Sequence, residues 1–319
     1  MMSNKLRYTL SMVIFITLLA SRSLSAAPAT EAADKGQAFA SPEEASKALV
    51  DAARGNDKNK ISMLFGSEYA QIFSSGDDVE DANNRADFLK MAEEKSSVEN
   101  EANKAILHFG KNDWSFPVPV VNNGGQWRFD AEQGKQEILN RRIGRNELNT
   151  LGAVRGYVEA QTEYASIDRD GDEVSEFATK IRSEPNKFDG LYWETAPGQP
   201  ESPLGPLFAE AKAAGYQAKS SAETAMPFHG YLYKILTRQG SNVPGGKYDY
   251  IINGNMIAGF ALVAFPAVYG SSGIMTFVVN HRGKIYQKDL GPKTTELALA
   301  MKAFDPDSSW EEVGASPAQ

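Results

Sequence analysis

The stretch "FALVAFPAVYGSSGIMTFVVNHRGKIYQKDLG", Phe260 to Gly291, decides the fold. Its runs of β-branched and aromatic residues are divided by two glycine turns, "YGSSG" and "HRG", a pattern that predicts three antiparallel strands. The segment that offers to cover such a sheet is a helix predicted from Glu132 to about Ile167. There Ile138, Leu139, Ile143, Leu148, Leu151, Val154 and Val158 recur at spacings of three and four. Gly144, Gly152 and Gly156 weaken the run and predict a kink or break within it. Sheet residues such as Phe260, Leu262, Phe277 and Ile285, buried beneath that helix, contribute about 1.5–3 kcal/mol each before entropy is counted.

Upstream of the long helix, Ser41 is placed to cap a helix running to about Arg54, with Pro42 at its first position and Glu43 and Glu44 near the positive end of the dipole. Asp57 to Phe73 predicts a second helix with Ile61, Leu64, Phe65 and Ile72 on one face, and Asp81 to Glu94 a third. The period then changes to two. "WSFPVPV" places Trp114, Phe116, Val118 and Val120 on one side, and "NNGG" returns the chain into "QWRFD" as a hairpin. Pro117 and Pro119 lack amides on one edge, so this strand is predicted to be an edge or to bulge.

Beyond the long helix, Pro185 to Pro206 reads as irregular, "FHGYLYKIL" at Phe228 to Leu236 and a "PGG" turn lead into the sheet, and short helices are predicted at Leu207 to Ala214 and Thr295 to Phe304. The fold class is α+β. An N-terminal domain over 41–131 combines helices with a curved antiparallel sheet, and a C-terminal domain over 132–307 packs a long helix on an antiparallel sheet. A flexible leader at 27–40 and a tail at 308–319 flank them.

Composition narrows the function. A formal charge of −8 gives no pull toward nucleic acid or an anionic membrane surface. The absence of cysteine excludes disulfides, thiol nucleophiles and thiolate metal sites. Lys5 and Arg7, the apolar run Thr9 to Ala20 and the small residues Ser21 to Ala27 have the order of a signal peptide, cleaved after Ala26. No later segment approaches the roughly 20 apolar residues of a spanning helix. The expectation is a periplasmic or secreted protein with no membrane span after cleavage; the sequence does not indicate an oligomeric state.

Among candidate sites, "DRDGDEVSE" is the richest in chemistry. A hard divalent cation takes six to eight oxygens, and Asp168, Asp170, Asp172 and Glu176 fall at offsets one, three, five and nine of an EF-hand-like calcium loop. The glycine expected at offset six is Glu173 and offset twelve is Thr179, so the strict pattern is not met; a solvated acidic turn is the competing reading. Calcium is the one cofactor suggested. His108, His229 and His281 are too scattered for a zinc site, and the glycine pairs precede strands, where a phosphate loop needs a helix. No nucleophile elbow occurs: the serines of "YGSSGI" join strand to strand. The aromatics Tyr192, Trp193, Tyr231 and Tyr233 offer the lining of a ligand groove, with core packing as the alternative.

Two resemblances add to this reading. The phrases "FPVPVVNNGGQWRFD", "RRIGRNELNTLGAVRGYVEAQTEYA", "FDGLYW", "SPLGPL", "GYLYKIL" and the Phe260–Gly291 stretch resemble a bacterial exported domain-of-unknown-function family, DUF2950. That likeness implies export and brings no activity with it. "NELNTLGAVRGYVEAQTEYA" followed by the Phe260–Gly291 stretch is similar to the globular part of type IV pilin-like and pseudopilin proteins, which implies a helix packed on an antiparallel sheet. Those proteins begin with a long apolar helix, whereas a polar domain precedes the helix here, so no filament core is expected. The order of elements in the first half resembles a cystatin-like or NTF2-like cone. The function expected is a non-enzymatic binding or assembly module that contacts envelope proteins. The alternatives are a periplasmic hydrolase using paired carboxylates and a small-molecule carrier with its pocket in the N-terminal domain.

Overall fold

A computed structural model describes residues 36–213, 215–216 and 227–314. The predicted signal peptide, most of the leader, Ala214 and the last residues of the tail lie outside them. Ser41 caps α1 (Pro42–Gly55): its Oγ accepts the Glu44 amide at 3.2 Å, and Glu44 Oε2 accepts the Ala40 amide at 3.0 Å. This reciprocal pair satisfies two amides that the first turn leaves open. Asp57 caps α2 (Lys58–Phe65) through the Asn59 and Lys60 amides. The helix expected to reach Phe73 stops here, because Gly66 adopts φ +90, and the chain resumes as a 3-10 turn at Ala70–Phe73. Asp77 caps α3 (Asp78–Glu94) in the same manner as Asp57.

The first sheet is antiparallel, with β1 (Ser96–Asn100), β2 (Lys104–Phe109), β4 (Val120–Asn123) and β5 (Gln126–Phe129) in that order and β3 (Trp114–Ser115) also on β2. Ser115 pairs with His108 and Val121 with Lys104, so β3 and β4 share one edge of β2. Between them residues 116–119 leave the ladder, as two prolines without amides require, and the wholly buried Val118 points inward. Phe39, Phe65, Phe109, Phe116 and Phe129 fill the core above, with Phe65 and Phe129 centroids 4.7 Å apart.

The second sheet has the order β14-β13-β12-β11-β6, all antiparallel, from β6 (Tyr231–Leu236), β11 (Ala261–Pro266), β12 (Met275–Asn280), β13 (Ile285–Asp289) and β14 (Glu311–Glu312). Two small ribbons, β7 (Arg238–Gln239) with β8 (Tyr248–Asp249) and β9 (Ile251–Ile252) with β10 (Asn255–Met256), intervene between β6 and β11. Every residue of β11 is buried, which explains its unbroken apolar run. α5 (Gly205–Ala213) and α6 (Thr294–Ala300) complete the fold. The α+β class is thus observed.

One helix, α4 (Ala131–Tyr164), reaches both cores. Its 34 residues make it about 50 Å long, and it runs unbroken through Gly144, Gly152 and Gly156. Its buried face meets the predicted apolar stripe only in part: Val154 is buried and Leu151 and Val158 pack against the second core, but Leu148 is 70% exposed, and Arg142, Asn146, Thr150, Tyr157, Gln161 and Tyr164 are buried beside Ala153 and Ala160. Arg142, Asn146, Thr150, Val154, Tyr157, Gln161 and Tyr164 follow one another at steps of three or four, so the helical period is right and polar side chains share the inward face with apolar ones. The Arg142 guanidinium donates to Ile72 O, to Ser74 O at 3.0 Å and to Ser271 Oγ at 3.3 Å. Asn146 donates to Ser272 O, and Glu147 accepts the amides of Ile274 and Met275, both at 3.0 Å. Tyr157 donates to Ala261 O on β11 and packs edge-on against Phe260.

Near its start α4 crosses Val118 at Gly134, where a Cβ would lie 2.5 Å from Val118 Cγ2; nothing lies within 4 Å of a Cβ at Gly144 or Gly152. Gly144→Ala and Gly152→Ala are therefore expected to raise the unfolding free energy in urea by about 0.5–1 kcal/mol each. Gly134→Ala is expected to lower it by about 1–3 kcal/mol, since Val118 has no room to retreat. If all three prove equally stabilising, α4 does not press on the bulge.

Candidate functional site

The end of α4 runs straight into the acidic turn. Asp168 folds it: Oδ1 accepts the amides of Asp170 (3.3 Å) and Gly171 (2.8 Å), and Oδ2 accepts that of Glu173 (2.9 Å). These amides hold the Asp168 carboxyl below its ordinary range, Gly171 first among them. Glu173 takes φ +67, so the position where the calcium-loop pattern wants glycine adopts the left-handed backbone without one. Single oxygens of Asp168, Asp170 and Asp172 all lie within 4.8 Å of one another. Glu176, the fourth predicted ligand, accepts the Met256 amide at 3.1 Å and stands outside that trio. Asn255 Nδ2 donates to Asp172 Oδ2 at 2.7 Å, tying the turn to β10.

Beside the turn lies a cleft of about 340 Å³, lined by residues that include Tyr164, Arg169, Asp170, Glu176, Lys180 and Phe188. One turn before Tyr164 on α4, the wholly buried Gln161 donates to Ala178 O at 2.8 Å and accepts the Ala178 amide at 2.9 Å, fixing the segment that leads into Thr179 and Lys180 of the wall. The Tyr164 hydroxyl donates to Phe188 O at 2.8 Å, holding the far wall; burial, and then the charge of Glu176, pushes its phenol up to about 12, so it stays a neutral donor. Lys180 Nζ bridges Glu184 and Asp189 at 2.7 Å each, and Lys187 joins Glu184 at 2.5 Å. Arg169 differs from both lysines. Its Nε donates to Tyr164 O at 3.1 Å, its guanidinium lies 4.9 Å from the Tyr164 ring centroid and 5.3 Å from that of Trp193, and among the described residues no carboxylate pairs with it.

The predicted groove residues are not assembled in this cleft, nor in a second one of about 460 Å³ lined by residues that include Ser166, Phe177, Ile257 and His281. Trp193 is 6% exposed and donates to Pro200 O, and the wholly buried Tyr231 donates to Met275 O. Tyr233 donates to Phe228 O, and Tyr192 stacks on Phe208 at 3.8 Å. Trp193 acts behind the wall, as a platform for Arg169. Sequence reasoning passed over Arg169, Tyr164 and Phe188. The available signal was a single base inside the acidic run "DRDGDE".

The three histidines occupy separate surroundings. His229 contacts Asn149 at 3.4 Å, and His281 packs edge-on against Tyr250 and Phe260. Ser115, His108 and Glu99 form a chain with the outline of a nucleophilic triad, Ser115 Oγ to Nδ1 at 3.3 Å and Nε2 to Glu99 at 3.0 Å. Nδ1 also faces Asp113 O at 3.2 Å, so the ring lies between two oxygen acceptors, the Asp113 carbonyl and the Glu99 carboxylate, as well as the Ser115 hydroxyl. The imidazole ties three strands together, β1 through Glu99 and β3 through Ser115.

The chain belongs to the family described as "Protein of unknown function (DUF2950)", whose model matches residues 36–313. No curated protein and no solved structure matches it. The likenesses to pilin-like, cystatin-like and NTF2-like folds therefore remain analogies of element order. Among the described residues no helix is long and apolar enough to cross a membrane.

Partial burial, reinforced by Asp170, Asp172 and Asp168, raises the Glu176 carboxyl above its ordinary value. A raised folded value means that the folded state binds the proton more readily, so this group adds stability as pH falls through the carboxylate range and opposes folding at neutral pH. Glu176→Gln, melted without divalent cations, is expected to be more stable than the parent at pH 7, with the gap closing toward pH 4. A gap independent of pH would contradict the assignment.

Proposed function

We propose that the chain is an exported module of the bacterial envelope that holds a ligand or protein partner without transforming it, and that its working end is the acidic turn and cleft at the close of α4. The observation that carries this reading is that Asp170 belongs at once to the carboxylate trio and to the cleft wall, with Glu176 beside it. Export is supported by the basic, apolar and small-residue order of the first 27 residues. Calcium is the ion for the turn: its oxygen ligands lie about 2.3–2.6 Å from the metal, so two oxygens of one shell are at most about 5 Å apart, a limit that the trio, within 4.8 Å, respects. Asp168 already spends both oxygens on backbone amides and Asp172 one oxygen on Asn255, and the trio sits at the surface. A cage so open suits an affinity of about 10⁻⁴–10⁻³ M, as in extracellular modules.

Isothermal titration of the mature protein with calcium is expected to show saturable heat in that range. The heat should vanish in the double variant Asp170→Asn, Asp172→Asn while the melting curve in chelator stays cooperative. A flat trace for the parent would remove calcium from the reading.

A further inference from the structure

We propose that the cleft at the end of α4 is a receptor site for a small zwitterion, an amino acid or short peptide, whose carboxylate docks on Arg169 and whose ammonium group docks on Asp170 and Glu176. This rests on taking that cleft as the working end and does not require calcium. The charges on the walls decide the chemistry. Lys180 and Lys187 are neutralised in place by Asp189 and Glu184, so neither is offered to a ligand. Arg169 is the remaining base among the lining residues, and among the described residues it has no acidic partner.

Arg169 is also prepared to bind. Its Nε is committed to Tyr164 O, and two aromatic rings hold the guanidinium, which leaves the terminal N–H groups for an acceptor. A planar fork fixed in this way matches the two oxygens of a carboxylate, and little entropy is lost when it engages one. On the acidic side, Asp170 has no basic partner among the described residues and Glu176 has only the Met256 amide. A simple anion would meet Asp170 and Glu176, and a simple cation would meet Arg169; a molecule carrying both charges answers each. Tyr164 and Phe188 supply apolar wall, and a volume of about 340 Å³ accommodates a dipeptide.

The test titrates the mature protein, in chelator, with alanylalanine in its L,L and D,D forms, with N-acetyl-alanylalanine, which lacks the ammonium, and with alanylalanine amide, which lacks the carboxylate. At least one dipeptide is expected to bind saturably below about 10 mM, and both blocked forms to bind at least about tenfold more weakly. Arg169→Gln should weaken the dipeptide about tenfold and leave the amide unchanged, whereas Asp170→Asn should weaken the dipeptide and leave the N-acetyl form unchanged. If Arg169→Gln fails to fold, Arg169→Lys, which keeps the charge and loses the fork, should still weaken the dipeptide. Absence of binding by both dipeptides, equal affinities for free and blocked forms, or affinities indifferent to Arg169 would overturn the proposal. Because calcium is excluded from this titration, a flat calcium trace with retained dipeptide binding removes only the ion, and the reverse result removes only the zwitterion.

Discussion

A 34-residue helix whose inward face carries Arg142, Asn146, Thr150 and Gln161 among its apolar residues is not held against its neighbours by apolar burial alone, because a buried polar group left without a partner costs free energy. Arg142 shows how the constraint is met. Its guanidinium closes the carbonyls of Ile72 and Ser74, at the 3-10 turn that precedes α3, and reaches Ser271 in the connection between β11 and β12. Leaving such groups unpaired costs about 1–3 kcal/mol each, whereas a sliding apolar stripe would tolerate several registers. Hydrogen bonds from Arg142, Asn146, Tyr157 and Gln161 therefore fix where along its length α4 meets each core.

The site inherits that fixed position. Gln161 and Tyr164, the last inward residues of α4, hold the two chain segments that face each other across the cleft, one at Ala178 and the other at Phe188. The acidic turn connects α4 to the Ala178 segment and is pinned to β10 through Asn255 and Met256. Arg169 and the carboxylates are thus presented from a short loop anchored at both ends, the arrangement that lets a loop bind without first being ordered.

Much of the framework was legible because it is written in local chemistry. Ser41 and Pro42 set the start of α1, the three strands of the second sheet follow their β-branched runs, and the bulge at Pro117 and Pro119 follows from missing amides. The packing face of α4 was not legible in this way. Hydrophobic periodicity selects Val154, which is buried, but also Leu148, which is exposed, and it passes over Arg142, Asn146 and Gln161, whose burial depends on carbonyls and amides more than ten residues distant in sequence. The acidic turn was visible as a run of charge, and Asp168, Asp170 and Asp172 do converge. Arg169 was missed because its role is set by the rings of Tyr164 and Trp193 and by the absence of an acidic partner among the described residues, which only the folded chain displays.

Amide hydrogen exchange at residues 105–109 of β2 and 261–265 of β11, compared between the parent and Arg142→Met, tests the central claim most directly. If α4 couples the two cores through buried hydrogen bonds, the parent's slowest amides in both strands should share one opening free energy. In Arg142→Met the two sets should separate, with at least one falling by about 2–4 kcal/mol. Unchanged protection in both strands of the variant would contradict the account.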